Sequence, residues 1–400
     1  MDLRFSAEEL AFREEVRGFI RDNLPDDIRE KLQLGHKIEK PDLVRWQRIL
    51  NKKGWAAFNW PKEWGGPGWT PIQRMMFLEE IQTFPAPEVN PFNVTMLGPV
   101  LIQFGSDEQK QRFLPRAANL DDWWCQGFSE PGAGSDLAAL KTAARREGDH
   151  YIVNGQKIWT STAHMADWCF CLVRTNPQAP KKQEGISFLL IDMKTPGITV
   201  RPIISIDGEH HLNEVFFDDV KVPVDMRVYE ENKGWDVAKF LLGNERTGIA
   251  RIGKSKERIN FSKQKAKEMR AHGKPLSADP EFRRRIAALE TELKSLEITQ
   301  LRVLSAQKAN ERRQDPLTAV LKLKGTELLQ ATTELAMDVA GPLAMPDWAD
   351  ELEALSNEPE LGPVWATEAT RSYLFLRAAS IYGGTNEIMK NIVSKGVLGL

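Results

Sequence analysis

The chain has 400 residues, 42% of them hydrophobic and 28% charged, with a formal net charge of −2. This is the composition expected of a soluble globular protein with two or three domains or one large compact fold. The near-neutral balance argues against a nucleic-acid binder, which needs a basic excess on at least one domain.

The N-terminus, MDLRFSAEELAFREE, lacks the apolar run of a secretory signal. No stretch of the chain reaches the roughly 18 apolar residues of a membrane span. Residues 1–120 read as helical. Ser6 and Glu9 form an S-x-x-E capping box, and Phe12, Val16, Phe19 and Ile20 follow at helical spacing. A second pattern runs through Leu43, Trp46 and Leu50, and the Gly-, Pro- and Trp-rich stretch 54–69 reads as a loop. Helical patterns return at 71–83 and 95–120, with Ser106 as a predicted N-cap.

From 124 to 228 the runs become short and β-rich. Asn154-Gly155, inside HYIVNGQKIWT, predicts a hairpin turn. ADWCFCLVRT, GISFLLIDM, GITVRPI and NEVFFDDVKVP add further strands, and together they predict an antiparallel sheet domain. Cys125, Cys169 and Cys171 form no CxxC pair, which predicts buried thiols in a reducing compartment, and hence a cytoplasmic location, rather than disulfides or zinc. After about 232 the helical period resumes through Ile286, Leu289, Leu293, Leu296, Leu301 and Leu304, and again over 317–339; a four-helix bundle is the simplest home for such stripes. Residues 342–370 carry seven acidic residues and no Lys or Arg and read as a loop. The expected class is α+β, with a helical segment at 1–120, a β segment at 121–231 and a helical bundle at 232–400. No Rossmann or P-loop signature is present.

The stretch from Gln126 through Phe128, Ser129 and Gly134 to Ser135 combines glycines, a proline and hydroxyls. Such a loop can offer backbone N–H groups to a flavin or a phosphate, and it can equally be an ordinary turn beside a strand. On periodicity alone Trp159 reads as a core aromatic, and Glu245 as a carboxylate on a helix surface.

FSEPGAGSD resembles the first signature of the acyl-CoA dehydrogenase family. NGQKIWTST, NERTGIA, IYGGTNEI and GWAAFNWPKEWGGPG resemble four further family segments in the same order and spacing. The resemblance spans nearly the whole chain. It implies FAD held between the β domain and the bundle, extending toward a neighbouring subunit, with electrons passed to an electron-transfer flavoprotein. Carried over residue by residue, Gln126, Phe128, Ser129 and Gly134 would line the flavin, with Phe128 and Ser129 at its pyrimidine end. Ser135 would touch cofactor and substrate. Trp159 and Thr160 would sit at the isoalloxazine, and Ser161 replaces a Thr that bonds flavin N5. Thr385, Asn386 and Glu387 would meet the FAD phosphates. Gly243, Arg246, Gly384 and Lys395 would lie near the CoA ester; for Arg246 and Lys395 solvated surface remains the other reading.

Two departures from the family pattern matter. Many relatives carry the catalytic base as the Glu of IYEGT, whereas this chain has Gly383 there. A subset holds the base on the first bundle helix, at the position of Glu245. The resemblance therefore assigns α-proton removal to Glu245 and leaves the Gly383 N–H to polarise the thioester carbonyl. The Arg that pairs with a neighbour's FAD pyrophosphate is replaced by Met269, with Arg270 beside it and some 100° round if the helix continues. The Gln that meets adenosine is replaced by Met337. Either Arg270 takes over in a homo-oligomer, or the chain works in an α2β2 heterotetramer with a second, partly degenerate subunit. An acyl-CoA oxidase-like enzyme and a weakly catalytic structural subunit are the competing functions. For substrate, the resemblance implies a medium-chain or dicarboxylyl, pimeloyl-like CoA ester; Arg251 and His164 are candidates to meet a distal carboxylate, with an ordinary surface or structural role as the leading reading of each.

Overall fold

A computed structural model describes residues 4–84, 86–245, 248, 250–306, 316–346 and 362–400; the side chains of Leu34, Asn244, Glu245 and Ala306 fall outside it. The chain divides into two compact units, one of residues 1–42, 69–88 and 246–400, the other of residues 43–68 and 89–245.

The second unit is built on a sheet. The helices α1 (Ala7–Asn23), α2 (Asp26–Leu34), α3 (Lys40–Lys52), α4 (Pro71–Thr83), α5 (Gly98–Phe104) and α6 (Asp107–Ala118) precede its strands in the chain. The strands are β1 (Trp124–Gly127), β2 (Ala143–Glu147), β3 (His150–Lys157), β4 (Trp168–Arg174), β5 (Ile186–Asp192), β6 (Ile198–Ile204), β7 (His210–Pro223) and β8 (Arg227–Val228). They hydrogen-bond in the order β6-β7-β3-β2-β4-β5-β8, with β1 alongside β4. The sheet is mixed rather than antiparallel throughout, because β1 pairs with β4 in parallel, as does the end of β2. Asn154-Gly155 does not turn a hairpin. β3 runs straight through it, and the register against β7 shifts between Val153 and Gly155. The β2–β3 turn lies instead at Gly148, which has φ +61. Asn154 spends its side chain on Asp219, accepting from its N–H and donating to its carboxylate, both at 2.9 Å. That makes the pair a pinned bulge.

The core of this unit packs Trp124, Phe170, Phe188 and Leu190 with Leu101 and Phe113 of the preceding helices and Leu241 of α7 (Gly234–Glu245). The three cysteines are free and buried in it. Ser106 caps α6 with Gln109 in a capping box, as its position in the sequence predicts.

In the other unit α1 and α4 pack with α8 (Ile252–Glu268), α9 (Pro280–Ala306) and α10 (Leu317–Ala340). The stripe read from the sequence is the buried one: Ile286, Leu293 and Leu296 join Ile259, Leu321 and Leu328. Between α8 and α9 lies a two-strand ribbon, β9 (Arg270–Ala271) and β10 (Lys274–Pro275). Part of the segment read as a loop is helical, since α11 spans Val364–Phe375 and follows Pro363; residues 347–361 of it lie outside the described residues. A final helix, α12 (Asn386–Val393), is capped by Thr385, whose Oγ1 accepts from Ile388 N at 3.3 Å.

Candidate functional site

In the sheet unit, Gln126 and Gly127 end β1, and the chain leaves the sheet at Phe128. The Phe128 ring does not face outward. It is buried edge-on against Phe170 and Phe188, with ring centroids 6.0 and 6.2 Å apart, so only its backbone is available to a ligand. Glu130 and Ala133 exchange backbone hydrogen bonds at 3.1 and 3.0 Å, closing a turn over Pro131-Gly132. Beyond it Gly134 and Ser135 are exposed, and a Cβ on Gly134 would meet nothing within 4 Å. This leaves an open strip of backbone beside the sheet.

Underneath lies a pair to which the sequence reading gave no role. Lys157, fully buried at the end of β3, donates through Nζ to Glu130 Oε1 at 2.8 Å and to Phe128 O at 3.1 Å. Glu130 in turn accepts from Lys141 N at 2.6 Å and Thr142 N at 2.9 Å. Burial alone would push the Glu130 carboxyl up, but the Lys157 ammonium and these hydrogen bonds hold it below its ordinary range. Ile158 N donates to Ser129 O at 2.9 Å, stitching the loop to the next segment.

That segment carries Trp159 in the left-handed region, φ +59, with 56% of the residue exposed. The periodicity that makes Trp159 a core aromatic fails because the positive φ turns the indole out of the strand. Asn213 fixes the next residue from both sides: Thr160 N donates to Asn213 O at 3.0 Å, and Asn213 Nδ2 donates to Thr160 O at 2.9 Å. Thr160 Oγ1 is buried without a hydrogen-bond partner. An exposed aromatic face, open loop amides and an unspent hydroxyl fit a flat, hydrogen-bonding aromatic cofactor such as a flavin. Ser161 follows, half-buried. His164 is exposed and stacks on His210 with ring centroids 3.9 Å apart. Gly243 is buried in α7, and Glu245 is that helix's last residue. The Glu245 side chain and Arg246 lie outside the described residues.

In the helical unit Gly383 and Gly384 take φ +64 and +91, conformations that a side chain disfavours. They lead into the N-terminus of α12, whose free amides suit an anion. Thr385 supplies the cap and Glu387 is exposed in the first turn. Asn386, in contrast, turns inward: its Oδ1 accepts from fully buried Lys322 at 3.0 Å and from Thr326 Oγ1 at 3.2 Å. Lys395 is exposed beyond the helix. Arg270 is not on a helix at all, since α8 ends at Glu268 and Met269 is extended, with ψ 145. Arg270 Nη1 donates to Gly273 O at 3.2 Å across the ribbon. Met337 packs against the cluster of Ala340, Ala344 and Ala366. Among the described residues no group of His, Cys, Asp and Glu could hold a metal ion, and no helix is long and apolar enough to cross a membrane.

Three family models match in chain order: the acyl-CoA dehydrogenase N-terminal domain over residues 6–121, the middle domain over 125–220 and the C-terminal domain over 232–398. Acyl-CoA dehydrogenase IpdE1 of Mycobacterium tuberculosis is 37% identical, over 97% of this chain and 97% of its own. Acyl-CoA dehydrogenase FadE29 of the same organism is 32% identical, over 98% and 97%. Among solved structures, a chain of the ChsE4-ChsE5 complex from Mycobacterium tuberculosis matches with a TM-score of 0.83 at 31% identity, covering 100% of this chain and 99% of its own. The Tcur3481-Tcur3483 steroid ACAD matches with a TM-score of 0.84 at 28% identity, covering 100% and 99%. Fold and cradle thus define an oxidoreductase of a flavin-dependent class. The chain belongs to the acyl-CoA dehydrogenase family, enzymes of acyl-CoA dehydrogenation.

Proposed function

We propose that the chain removes one hydrogen from each of the α and β carbons of an acyl-CoA thioester, giving the trans-2-enoyl-CoA, with Glu245 as the base. The observation that carries this reading is the pairing of two positions: glycine stands at 383, and a carboxylate stands at the end of α7. The Glu245 carboxylate takes the α-proton, and the electron pair of that C–H bond becomes the new C=C bond as the β-hydrogen departs with its own pair. The Gly383 N–H donates to the thioester carbonyl, where negative charge develops. FAD, when bound, supplies the acceptor for the β-hydride. Trp159 would give it an aromatic wall, the Thr160 hydroxyl and the 126–135 backbone would give it hydrogen bonds, and Ser161 stands next in the chain. The amides at the N-terminus of α12, with Thr385 and Glu387 there, would hold its phosphates. Ser135, Gly243, Arg246, Gly384 and Lys395 hold the CoA ester. Residues 1–120, 121–231 and 232–400 act as three functional segments.

Glu245→Gln tests the reading. Turnover is expected to fall by about 10²–10⁴ or more with flavin content unchanged, because only the proton acceptor is removed. Full activity in that variant overturns the assignment. Oxygen uptake in the absence of any other acceptor separates an oxidase from a dehydrogenase that serves an electron-transfer flavoprotein.

The acyl group is medium-chain or dicarboxylyl in the first reading. A steroid-derived acyl group is the second, favoured by the likeness to the Tcur3481-Tcur3483 steroid ACAD. Bleaching of the flavin by straight-chain, branched, dicarboxylyl and steroid-side-chain CoA esters ranks them. Two of the solved relatives are named as pairs of different chains. Together with Met269 and Met337, this supports an assembly with a second acyl-CoA dehydrogenase-like subunit over a homo-oligomer.

A further inference from the structure

Helix α8 opens on a cationic face of which only Arg251 has a role above, as a candidate to meet a distal carboxylate. Arg251, Lys254 and Arg258 follow at spacings of three and four, which sets them on one side of the helix. Gly253 lets this end of α8 close onto α4, since a Cβ there would meet Glu79 O and Gln82 Cβ at 2.6 Å each. The approach brings Glu88 to the Arg251 guanidinium, and the two form an ion pair. Gln82 Nε2 donates to the other Glu88 oxygen at 3.3 Å. The Tyr382 hydroxyl lies beside the same guanidinium, so the face borders the turn that carries Gly383. The Arg251 side chain keeps 35% of its surface exposed and Glu88 27%, so the wall is reachable from solvent.

Two features set this wall apart from an ordinary charged helix. Arg251 stands in the left-handed region at φ +45, where residues other than glycine are uncommon and tend to be held by their surroundings for a purpose. The cations are also under-matched. Glu88 answers Arg251, but among the described residues Arg258 donates, through Nη2, only to the neutral Ser372 Oγ, at 3.1 Å. Lys254 makes no hydrogen bond or ion pair among the described residues. Burial pushes both Lys254 and Arg258 below their ordinary values, although Glu88, Glu257 and Glu368 stand near enough to oppose it. Ammonium and guanidinium groups only donate. A plain alkyl chain laid against them would strip their water and return nothing, whereas an acceptor oxygen would replace it.

We propose that this face reads an acceptor oxygen on the acyl group, remote from the thioester, with Lys254 and Arg258 donating to it and the Glu88–Arg251 pair holding the wall in place. The substrate class is then an acyl-CoA bearing a carboxylate or ketone oxygen on its acyl part. The inference rests on the dehydrogenase reading above and refines its substrate.

The test uses the flavin-loaded enzyme, with its second subunit if one co-purifies. Three CoA esters of equal chain length are compared, ending in carboxylate, ketone or methyl. Both kcat/KM and equilibrium affinity are measured. An oxygenated ester is expected to be preferred over the methyl ester by about tenfold or more, and Lys254→Met and Arg258→Gln should each shrink that ratio by about tenfold. A ratio within one preparation is unaffected by any loss of folded protein. Preference for the carboxylate alone identifies an anion reader; equal preference for ketone and carboxylate identifies a carbonyl reader. Equal use of all three esters, or a ratio unmoved in both variants, overturns the inference. If no ester bleaches the flavin, the dehydrogenase reading falls, and the ratio of affinities still decides this one: a flat ratio overturns it, and a preference lost in both variants sustains it.

Discussion

The buried Lys157–Glu130 pair shows what a single position can decide. Lys157 is fully buried and the Glu130 side chain is 7% exposed, so neither charge has water to fall back on. Lys157→Met strands a carboxylate in the core beneath the flavin-type loop, and denaturant unfolding is expected to show a loss of about 3–5 kcal/mol. Adding Glu130→Gln to that variant should recover part of it, because no unpaired charge then remains. The pH dependence has a definite sign. The folded Glu130 carboxyl titrates below its unfolded value of 4.5, so its stabilisation is complete above that value and disappears as pH falls through the lowered folded value. The stability gap between wild type and the double variant should therefore narrow on acidification below pH 4.5, and a gap that widens there would contradict the pairing. The sequence displays Lys157 within NGQKIWT, but a lysine on a strand ordinarily reads as exposed, and its bonds to Glu130 and Phe128 O reveal that it points inward. Trp159 fails in the opposite direction: a backbone angle, invisible to periodicity, turns a core-type aromatic outward.

Helix ends were legible because capping chemistry is local. Ser6 and Ser106 are each followed by the helix that their residue type promises. Asn154-Gly155 misled because the dipeptide's tolerance for unusual backbone serves a bulge as well as a turn, and the choice was made by β7 and Asp219, distant in the chain. Register against a remote strand is not a local property. The same holds for the closeness of α4 and α8, which depends on Gly253. In an isolated helix, alanine there would be favoured over glycine by about 1 kcal/mol. Here the added Cβ meets the Glu79 carbonyl and Gln82 at 2.6 Å. Gly253→Ala is expected to destabilise by about 1–3 kcal/mol net, as overpacking outweighs propensity. A rise in the melting temperature of that variant would show that the two helices part without cost.

At the scale of the whole molecule, the order of helical and β segments could be read from hydrophobic periodicity, and the family from five short motifs in the same order and spacing. What the motifs also carried was a deficit. Family members with an Arg and a Gln facing a neighbour's FAD have Met269 and Met337 in their place here. Arg270, the nearest substitute, is exposed on the β9–β10 ribbon and bonded to Gly273 O. Met337 is packed into an apolar cluster with no polar atom to offer. On the proposed heteromeric reading, a neighbour built from the same chain receives neither contact, while a different subunit keeps its own donors and needs none from this one. The chain expressed alone is accordingly expected to hold less than one flavin per chain, and co-expression with a second acyl-CoA dehydrogenase-like subunit should raise the flavin content together with activity. Met269→Arg should increase the flavin retained by the chain alone, since a guanidinium at that position restores a pyrophosphate partner. Flavin absorbance per chain and mass by sedimentation decide between the two assemblies. A stable homotetramer of the unmodified chain carrying one FAD per subunit would mean that Arg270 does reach the pyrophosphate, and that the two methionines mark a relocated contact rather than a missing partner.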